Sequence, residues 1–209
     1  MKNKTVRPDN RTGGNDLLQG VQLPLAAAIT AGGQSRRFGH DKALYEIGGV
    51  TLLNRVAASL QTCGPRLLIA PVERHSVSGW QNVPDLRPGE GPLAGLEAAL
   101  AAVQEHGDGW LAYSAVDLPN LTQEYWAFLA CRRSPGVLAV VAHDEGGRPQ
   151  PLAALYHTAA LPEVQALLDA GERRMGRLLD RTPVCHVVWS ELGAPFAGVF
   201  ENLNVPPER

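Results

Sequence analysis

Residues 23–44 read LPLAAAITAGGQSRRFGHDKAL and combine an apolar run with a glycine-rich, cationic segment. The apolar run, 23–29, predicts a short buried β-strand. Two adjacent glycines, Gly32 and Gly33, follow it, and two arginines and Lys42 come next. Glycines let backbone N–H groups approach phosphate oxygens without an intervening Cβ, and cationic side chains add the charge that holds a polyanion. The pattern therefore predicts a loop that binds a phosphate-bearing ligand.

Two common phosphate loops do not fit this segment. A Walker loop needs Gly-Lys followed by Ser or Thr, whereas Lys42 lies three residues after the nearest glycine and precedes Ala43. A dinucleotide fingerprint needs spaced glycines, whereas Gly32 and Gly33 are adjacent. The segment instead resembles the nucleotidyltransferase signature Ala-Gly-Gly-x-Ser-x-Arg-Met-Gly-x-Asp-Lys, with Phe38 in place of Met. The simpler alternative is a glycine-rich turn with surface arginines.

Composition indicates a single enzyme domain that works in the cytoplasm. The chain has 209 residues, of which 44% are hydrophobic, so it can bury one substantial core. Its net charge of −2 argues against a nucleic-acid-binding surface. The 3 cysteines are far apart in the sequence, which indicates neither a disulfide framework nor a zinc site and favours a reducing compartment. No run approaches the roughly 18 apolar residues of a membrane span.

The N-terminal residues 1–20 are predicted to be a disordered extension ahead of a domain at 21–209. Basic residues in this extension precede the apolar run, as in a signal peptide. However, the polar lead is too long, the apolar run is too short, and cleavage would remove the strand that leads into the glycines.

Strand and helix signals alternate along the rest of the chain. Strands are predicted at 66–70, 110–116, 137–142, 151–156 and 184–188, and helices at 51–60, 92–107, 122–130 and 162–170. This alternation predicts an α/β fold with a Rossmann-like, doubly wound and mostly parallel sheet. Ligands of such folds bind at the carboxyl ends of the strands, where both Gly32 and Asp117 fall.

Asp117 directly follows the predicted strand 110–116 and precedes Leu118-Pro119. A carboxylate at this edge, facing the same crevice as the glycine loop, can hold Mg²⁺ through its oxygens. The alternative is an ordinary turn aspartate ahead of a proline. In combination with the glycine loop, the metal-binding interpretation is favoured.

A third segment, 87–96, reads RPGEGPLAGL and leads into a predicted helix. Gly91 and Gly95 would allow the backbone to approach a flat base or ribose closely, and backbone groups can distinguish guanine from other bases. The alternative is a helix start with Pro92 at its first position. The two interpretations are compatible.

Taken in chain order, several segments resemble the molybdenum cofactor guanylyltransferases. They are 31–42, 91–95 (GPLAG), 116–119 (VDLP), 151–156 (PLAALY), 171–174 (GERR) and 202–206 (NLNVP). The resemblance runs from about residue 23 to the C-terminus. It implies a fold of the nucleotide-diphospho-sugar transferase type and transfer of GMP from GTP to the terminal phosphate of molybdenum-molybdopterin, with release of pyrophosphate.

The resemblance also implies roles for individual residues. The catalytic residues are expected to be Lys42, Asp117 and Arg37, with Asp117 binding Mg²⁺. The residues expected to bind the nucleotide are Thr30, Ala31, Gly32, Gly33, Lys42, Asp85, Pro92, Leu93, Ala94, Gly95 and Asp117. The residues expected to bind the acceptor are Arg37, Arg173, Arg174, Asn202 and Asn204. The amides of Asn202 and Asn204 could instead be ligands to the metal.

The resemblance gives conflicting signals about the base of the nucleotide. Thr30 stands where the family often has leucine, and relatives that use CTP can carry threonine there, whereas 92–95 argues for guanine. We therefore expect GTP. The alternatives are a cytidylyltransferase of the same cofactor, a nucleotidyltransferase for another phosphorylated acceptor, and a catalytically silent nucleotide-binding regulator. The joint presence of Lys42 and Asp117 argues against the last.

The partners implied by the resemblance are chiefly small molecules. GTP and molybdenum-molybdopterin are the expected substrates, and neither nucleic acid nor a membrane is expected as a partner. Transient contacts with cofactor-biosynthesis proteins and apo-molybdoenzymes are also expected.

Overall fold

The computed structural model describes residues 24–31, 41–71 and 74–202. The strands are β1 (Ala26–Thr30), β2 (Glu46–Ile47), β3 (Val50–Thr51), β4 (Arg66–Ile69), β5 (Gln81–Val83), β6 (Trp110–Ala115), β7 (Ala139–His143), β8 (Pro149–His157) and β9 (Val184–Val187). The α-helices are α1 (Leu52–Ser59), α2 (Pro92–Gln104), α3 (Gln123–Ala130), α4 (Leu161–Asp169), α5 (Met175–Arg181) and α6 (Trp189–Leu192). Short 3-10 turns cover Lys42–Leu44, Thr158–Ala160 and Ala194–Phe196.

The central feature is a seven-stranded sheet with the order β5-β4-β1-β6-β8-β7-β9. β1 runs parallel to both β4 and β6, and β5 runs parallel to β4. β8 is antiparallel to β6 and β7, while β9 is again parallel to β7. The prediction of a mostly parallel sheet is therefore confirmed, with antiparallel pairing confined to β8 among the described strands of this sheet.

Helices cover both faces of this sheet, as expected for a doubly wound fold. On one face, apolar side chains of α1, α3 and α6 pack together, among them Val56, Trp126 and Leu192. On the other face, α2, α4 and α5 form a second cluster that includes Leu96 and Leu168. The strands between them are rich in alanine, valine and leucine because both of their faces are buried.

The helix starts follow from local capping chemistry. The side chain of Thr51 accepts a hydrogen bond from the N–H of Asn54 at the start of α1, and Thr122 does the same for Tyr125 at α3. Pro92 is the first residue of α2, as predicted, and follows Gly91 at φ +87°. This left-handed conformation favours glycine.

Several elements were not predicted from the sequence. They are the β2–β3 hairpin, the short edge strand β5, and the helices α5 and α6. None of the helices in the described part of the chain is long and apolar enough to cross a membrane.

Candidate functional site

The carboxyl ends of β1 and β6 form the centre of the candidate site. The two strands are parallel neighbours, and Thr30 at the end of β1 pairs with Ala115 at the end of β6. Ala31 therefore leaves the sheet beside the segment that carries Asp117. The predicted convergence of the two segments at one edge follows from this register.

Lys42, Asp117 and Asn202 make mutual contacts at this edge. The Lys42 Nζ lies 3.2 Å from the Asp117 Oδ2, and both side chains are largely shielded, with exposures of 14% and 23%. The Asn202 Nδ2 donates to the same Asp117 oxygen at 2.8 Å, while the Asn202 Oδ1 accepts from Lys42 at 3.4 Å. Residues far apart in the sequence thus form one small polar cluster.

The start of the turn that carries Lys42 is held by Asp41. The carboxylate of Asp41 accepts from the N–H of Ala43 at 3.1 Å and caps the turn. Its other oxygen pairs with Arg74 at 3.0 Å. Because Ala43 is also buried, the backbone that presents Lys42 is fixed by both packing and hydrogen bonding.

The donor set of this cluster fits a hard divalent cation. Asp117 and Asn202 offer carboxylate and amide oxygens, which are the ligands that Mg²⁺ prefers. Among the described residues, no group of three or more His, Cys, Asp or Glu side chains could hold a metal ion. Oxygens of the substrate phosphates would complete the coordination of a cation at Asp117, as is usual for Mg²⁺ in nucleotide sites.

The 92–95 element forms the first turn of α2 beside the end of β1. The side chains of Leu93 and Ala94 are fully buried in the core, so they are not available to a ligand. A Cβ on Gly95 would lie 2.7 Å from the Tyr113 Oη and 3.1 Å from the Thr30 Oγ1. Gly95 is thus required by a close approach inside the protein, a reason that the sequence did not reveal.

Tyr113 lies between the end of β1 and the first turn of α2. Its hydroxyl donates to the carbonyl oxygen of Pro92 at 2.7 Å. The Thr30 hydroxyl lies close to the Tyr113 oxygen, since both groups border Gly95. Burial raises the pKa of Tyr113 and the Thr30 hydroxyl opposes the rise, so the phenol stays neutral and donating. Sequence analysis missed this role, although a tyrosine in a buried strand signals a hydroxyl that needs a partner.

Asp85 lies on the loop between β5 and α2. Burial raises the pKa of this carboxyl, while the N–H of Arg87, which donates to Asp85 Oδ1 at 2.9 Å, opposes the shift. Repulsion from Glu97 and Glu90 adds to the rise. The carboxyl oxygens of Asp85 can accept hydrogen bonds from a sugar or base.

The same loop is anchored to α2 by Arg87. Its guanidinium donates to both oxygens of Glu97, at 2.9 and 3.3 Å, and to Asp169 at 2.6 Å. Glu97 is only 3% exposed. A bidentate pair with a buried carboxylate fixes the loop geometry more firmly than a fully exposed ion pair does.

Arg173 and Arg174 are both paired with carboxylates. Arg173 lies 2.8 Å from Glu90, on the loop ahead of α2. Arg174 contacts both oxygens of Glu172, at 3.0 and 2.7 Å, and these bonds lower the pKa of Glu172 to about 2. An anionic acceptor would therefore compete with these carboxylates for the two guanidinium groups.

Among the described residues, the structure brings some of the predicted site residues into contact. Lys42, Asp117 and Asn202 come together, and Thr30 and Gly95 meet at Tyr113. Asn202, expected at the acceptor, contacts the expected metal ligand directly. Gly32, Gly33, Arg37 and Asn204 lie outside the described residues.

Comparisons with known proteins identify the family of this chain. Residues 27–185 match the family model of the MobA-like NTP transferase domain. A Deinococcus radiodurans protein named "Probable molybdenum cofactor guanylyltransferase" is 52% identical over 187 residues, which cover 89% of this chain and 92% of that protein. A protein of the same name from Opitutus terrae is 41% identical over 160 residues, covering 74% of this chain and 77% of its own length.

Solved structures share the fold. The molybdopterin-guanine dinucleotide biosynthesis protein A from Archaeoglobus fulgidus superposes with a TM-score of 0.69 at 24% identity, covering 87% of this chain and 93% of that one. The 2-C-methyl-D-erythritol 4-phosphate cytidylyltransferase from Thermus thermophilus has a TM-score of 0.54 at 22% identity, with coverages of 79% and 89%.

The family model spans most of the chain, and relatives at 52% and 41% identity extend over most of their own lengths. The chain therefore belongs to the MobA-like NTP transferase family of nucleotidyltransferases.

Proposed function

We propose that this protein transfers GMP from GTP to the terminal phosphate of molybdenum-molybdopterin, which forms the guanine dinucleotide cofactor and releases pyrophosphate. The observation that carries the chemistry is the contact of Lys42, Asp117 and Asn202 at the carboxyl edge of β1 and β6. The names of the relatives at 52% and 41% identity support the choice of nucleotide and acceptor.

The reaction needs charge neutralisation more than it needs a base. The acceptor is a phosphomonoester that is already anionic near neutral pH, so its oxygen can attack without prior proton removal. A bond forms between that oxygen and the α-phosphorus of GTP, while the bond from the α-phosphorus to the bridging oxygen breaks and pyrophosphate leaves with the electron pair. Repulsion between two anions is the main barrier, and positioning and electrostatic stabilisation lower it.

Lys42 is the residue that we assign to the triphosphate. Its ammonium group is held at the carboxyl edge of β1 and β6 by Asp117 and Asn202. On substrate binding, phosphate oxygens would replace part of this contact. Gly32 and Gly33 would add backbone N–H groups, and Ala31 would lead the chain into them.

Asp117 and Asn202 are the residues that we assign to Mg²⁺. Members of this nucleotidyltransferase family typically use a divalent metal, and an oxygen-only donor set supports magnesium. The bound ion would supply Lewis-acid stabilisation of charge on the phosphates. Asp117 keeps its carboxylate in place through the amide of Asn202.

The base side of the site is built mainly from backbone. Leu93 and Ala94 are buried, so the first turn of α2 would act on guanine through its peptide groups, with Asp85 on the adjoining loop. The Thr30 hydroxyl lies beside Tyr113 and Gly95, which supports the greater weight given to 92–95 for guanine. Arg37, Arg173, Arg174 and Asn204 are proposed to bind the acceptor.

Nucleotide choice tests the proposal directly. Pyrophosphate release is measured with molybdenum-molybdopterin and either GTP or CTP, with metal present and after chelation. We expect kcat/KM for GTP to exceed that for CTP by at least about tenfold, because a mismatched base leaves buried polar groups unpaired. A preference for CTP would indicate a cytidylyltransferase, release only with a different acceptor would reassign the substrate, and binding without release would indicate a silent regulator.

We further propose that the protein acts in the cytoplasm and contacts cofactor-biosynthesis proteins and apo-molybdoenzymes transiently. All three cysteines lie in the described ranges and are free thiols there, which supports a reducing compartment. Detection of the protein in the cytoplasmic fraction tests the first part, and crosslinking during cofactor delivery tests the second.

A further inference from the structure

We propose that Tyr113 is a positioning residue for base selection, because its hydroxyl fixes the first turn of α2 against the end of β1. The inference rests on the proposed function in one respect only, namely that 92–95 is the element that selects guanine. Tyr113 itself is fully buried and does not reach the nucleotide. It acts through Pro92 and Thr30.

The geometry is a contact between two segments that meet at the site. The Tyr113 hydroxyl donates to the Pro92 carbonyl at 2.7 Å, and the Thr30 hydroxyl lies close to the phenol where both groups border Gly95. Thr30 is the last residue of β1, directly before the phosphate loop, and Pro92 is the first residue of α2. One phenol therefore sets the separation of the phosphate-binding segment from the base-binding segment.

Gly95 allows the first turn of α2 to pack closely against the hydroxyl groups of Tyr113 and Thr30. A Cβ at Gly95 would lie 2.7 Å from the Tyr113 Oη and 3.1 Å from the Thr30 Oγ1, so the helix turn is packed directly on the two hydroxyl groups. Backbone donors and acceptors that read a base must be held to within roughly 0.5 Å of their working positions. The contact of Gly95 with Tyr113 and Thr30 supplies that restraint from the core side.

A second buried tyrosine, Tyr156, provides a control that distinguishes this role from a purely structural one. Tyr156 lies on β8, is also fully buried, and donates its hydroxyl to the carbonyl of Pro151 at 2.8 Å. Its ring contacts that of Tyr113 edge-on, with centroids 6.2 Å apart. Tyr156→Phe thus removes an equivalent buried hydrogen bond from the same core but leaves the contacts of Tyr113 with Thr30 and Pro92 unchanged.

The experiment measures the dissociation constants of GTP and CTP for the wild type, Tyr113→Phe and Tyr156→Phe by calorimetric titration without acceptor. Both variants should lose similar thermal stability. Only Tyr113→Phe should weaken GTP binding, by about tenfold, with CTP binding unchanged, because loss of one well-placed hydrogen bond is worth about that factor. In the transfer assay, its KM for GTP should rise while kcat at saturating GTP stays within about twofold of wild type.

If Tyr113→Phe and Tyr156→Phe have the same ratio of GTP to CTP affinity, the inference about Tyr113 is wrong. The proposed function would not be affected by that result. A wild type that prefers GTP but forms no dinucleotide would overturn the proposed function alone. If Tyr113→Phe does not fold, Thr30→Val removes the neighbouring hydroxyl at nearly constant volume. It should lower the GTP preference in the same direction, and an unchanged preference would again contradict the inference.

Discussion

Lys42 and Asp117 are separated by 75 residues in the sequence, yet the ammonium nitrogen lies 3.2 Å from a carboxylate oxygen. The pair joins the turn after the phosphate loop to the end of β6. Their side chains are 14% and 23% exposed, so water screens the attraction only in part. An ion pair in this position keeps a cation and a potential metal ligand in place at the edge where a triphosphate would bind.

Asp117→Asn should abolish transfer while leaving the fold intact, because the change is nearly isosteric but removes the negative charge that a divalent cation needs. We expect kcat to fall by about a hundredfold or more, as for other charge-stabilising ligands. Pyrophosphate release with GTP and acceptor measures the effect. Asp180→Asn is the control, since Asp180 is 61% exposed and pairs only with Arg177 among the ion pairs of the described residues. Near-wild-type activity of Asp117→Asn would remove Asp117 from the mechanism.

Lys42→Ala should weaken GTP binding and slow transfer, because one positive charge facing several negative ones is lost. The expected increase in the dissociation constant of GTP is about tenfold or more, the size of one charge-assisted contact. Arg181→Ala removes an exposed cation that pairs with Glu163 and should leave binding unchanged. Equal GTP affinity in Lys42→Ala and the wild type would show that the phosphate-loop assignment is wrong. Arg37→Ala, in contrast, should mainly affect the acceptor.

Gly95→Ala should destabilise the protein, and Tyr113→Phe should partly relieve the damage. The new Cβ would lie 2.7 Å from the Tyr113 Oη, and such overpacking costs about 1–3 kcal/mol. Removal of the hydroxyl leaves only the 3.1 Å approach to Thr30. The cost of Gly95→Ala in urea denaturation should therefore be smaller by about 1 kcal/mol in the Tyr113→Phe background. Strict additivity of the two changes would contradict the contact.

A second glycine provides the control for this cycle. Gly176 lies in α5, and a Cβ added there would meet no atom of the described residues within 4 Å beyond its own helix backbone and chain neighbours. Gly176→Ala therefore creates no steric conflict. It should stabilise the protein by up to about 1 kcal/mol through helix propensity alone. The sign of the two Gly→Ala effects should therefore be opposite.

The stability of the protein should depend on Glu172 in the acid range. Hydrogen bonds from Arg174 and from the N–H groups of Arg174 and Arg173 lower the pKa of Glu172 from 4.5 to about 2. The unfolded state then binds the proton more readily, so the contribution of Glu172 is complete above about pH 5 and is lost as the pH falls towards 2. Glu172→Gln should be less stable than wild type at pH 7 and equally stable near pH 2. Glu145→Gln, in an exposed turn, is the control, and a stability difference for Glu172→Gln that does not change with pH would contradict the prediction.

The fold was predictable where its signals are local. Apolar runs identify β1 and β6, and Thr51 and Thr122 mark helix starts through caps that involve only neighbouring residues. The edge strand β5 was missed because Gln81 and Asn82 carry no apolar signal, and its assignment depends on pairing with β4. Elements that exist only through a distant partner are not visible in the sequence.

The residues of the candidate site were also predictable from local patterns, whereas their contacts with distant residues were not. The residue patterns identified Lys42 and Asp117 in separate motifs, but only the fold shows that Asn202 contacts both. Tyr113 resembled one more core residue of an apolar strand, because its partner Pro92 lies 21 residues away. Arg173 and Arg174 read as free cations in the sequence, whereas the carboxylates of Glu90 and Glu172 pair with them in the structure.

The placement of the Thr30 hydroxyl beside Tyr113 has an evolutionary consequence. Positions 30 and 113 should be coupled, because both side chains pack against the turn at Gly95 and a bulkier residue at 30 needs the space that the Tyr113 hydroxyl occupies. Substitution at one of the two positions should therefore be accepted only together with substitution at the other. Relatives with leucine at position 30 are therefore expected to carry phenylalanine rather than tyrosine at position 113. A change of base preference would then require the replacement of both residues.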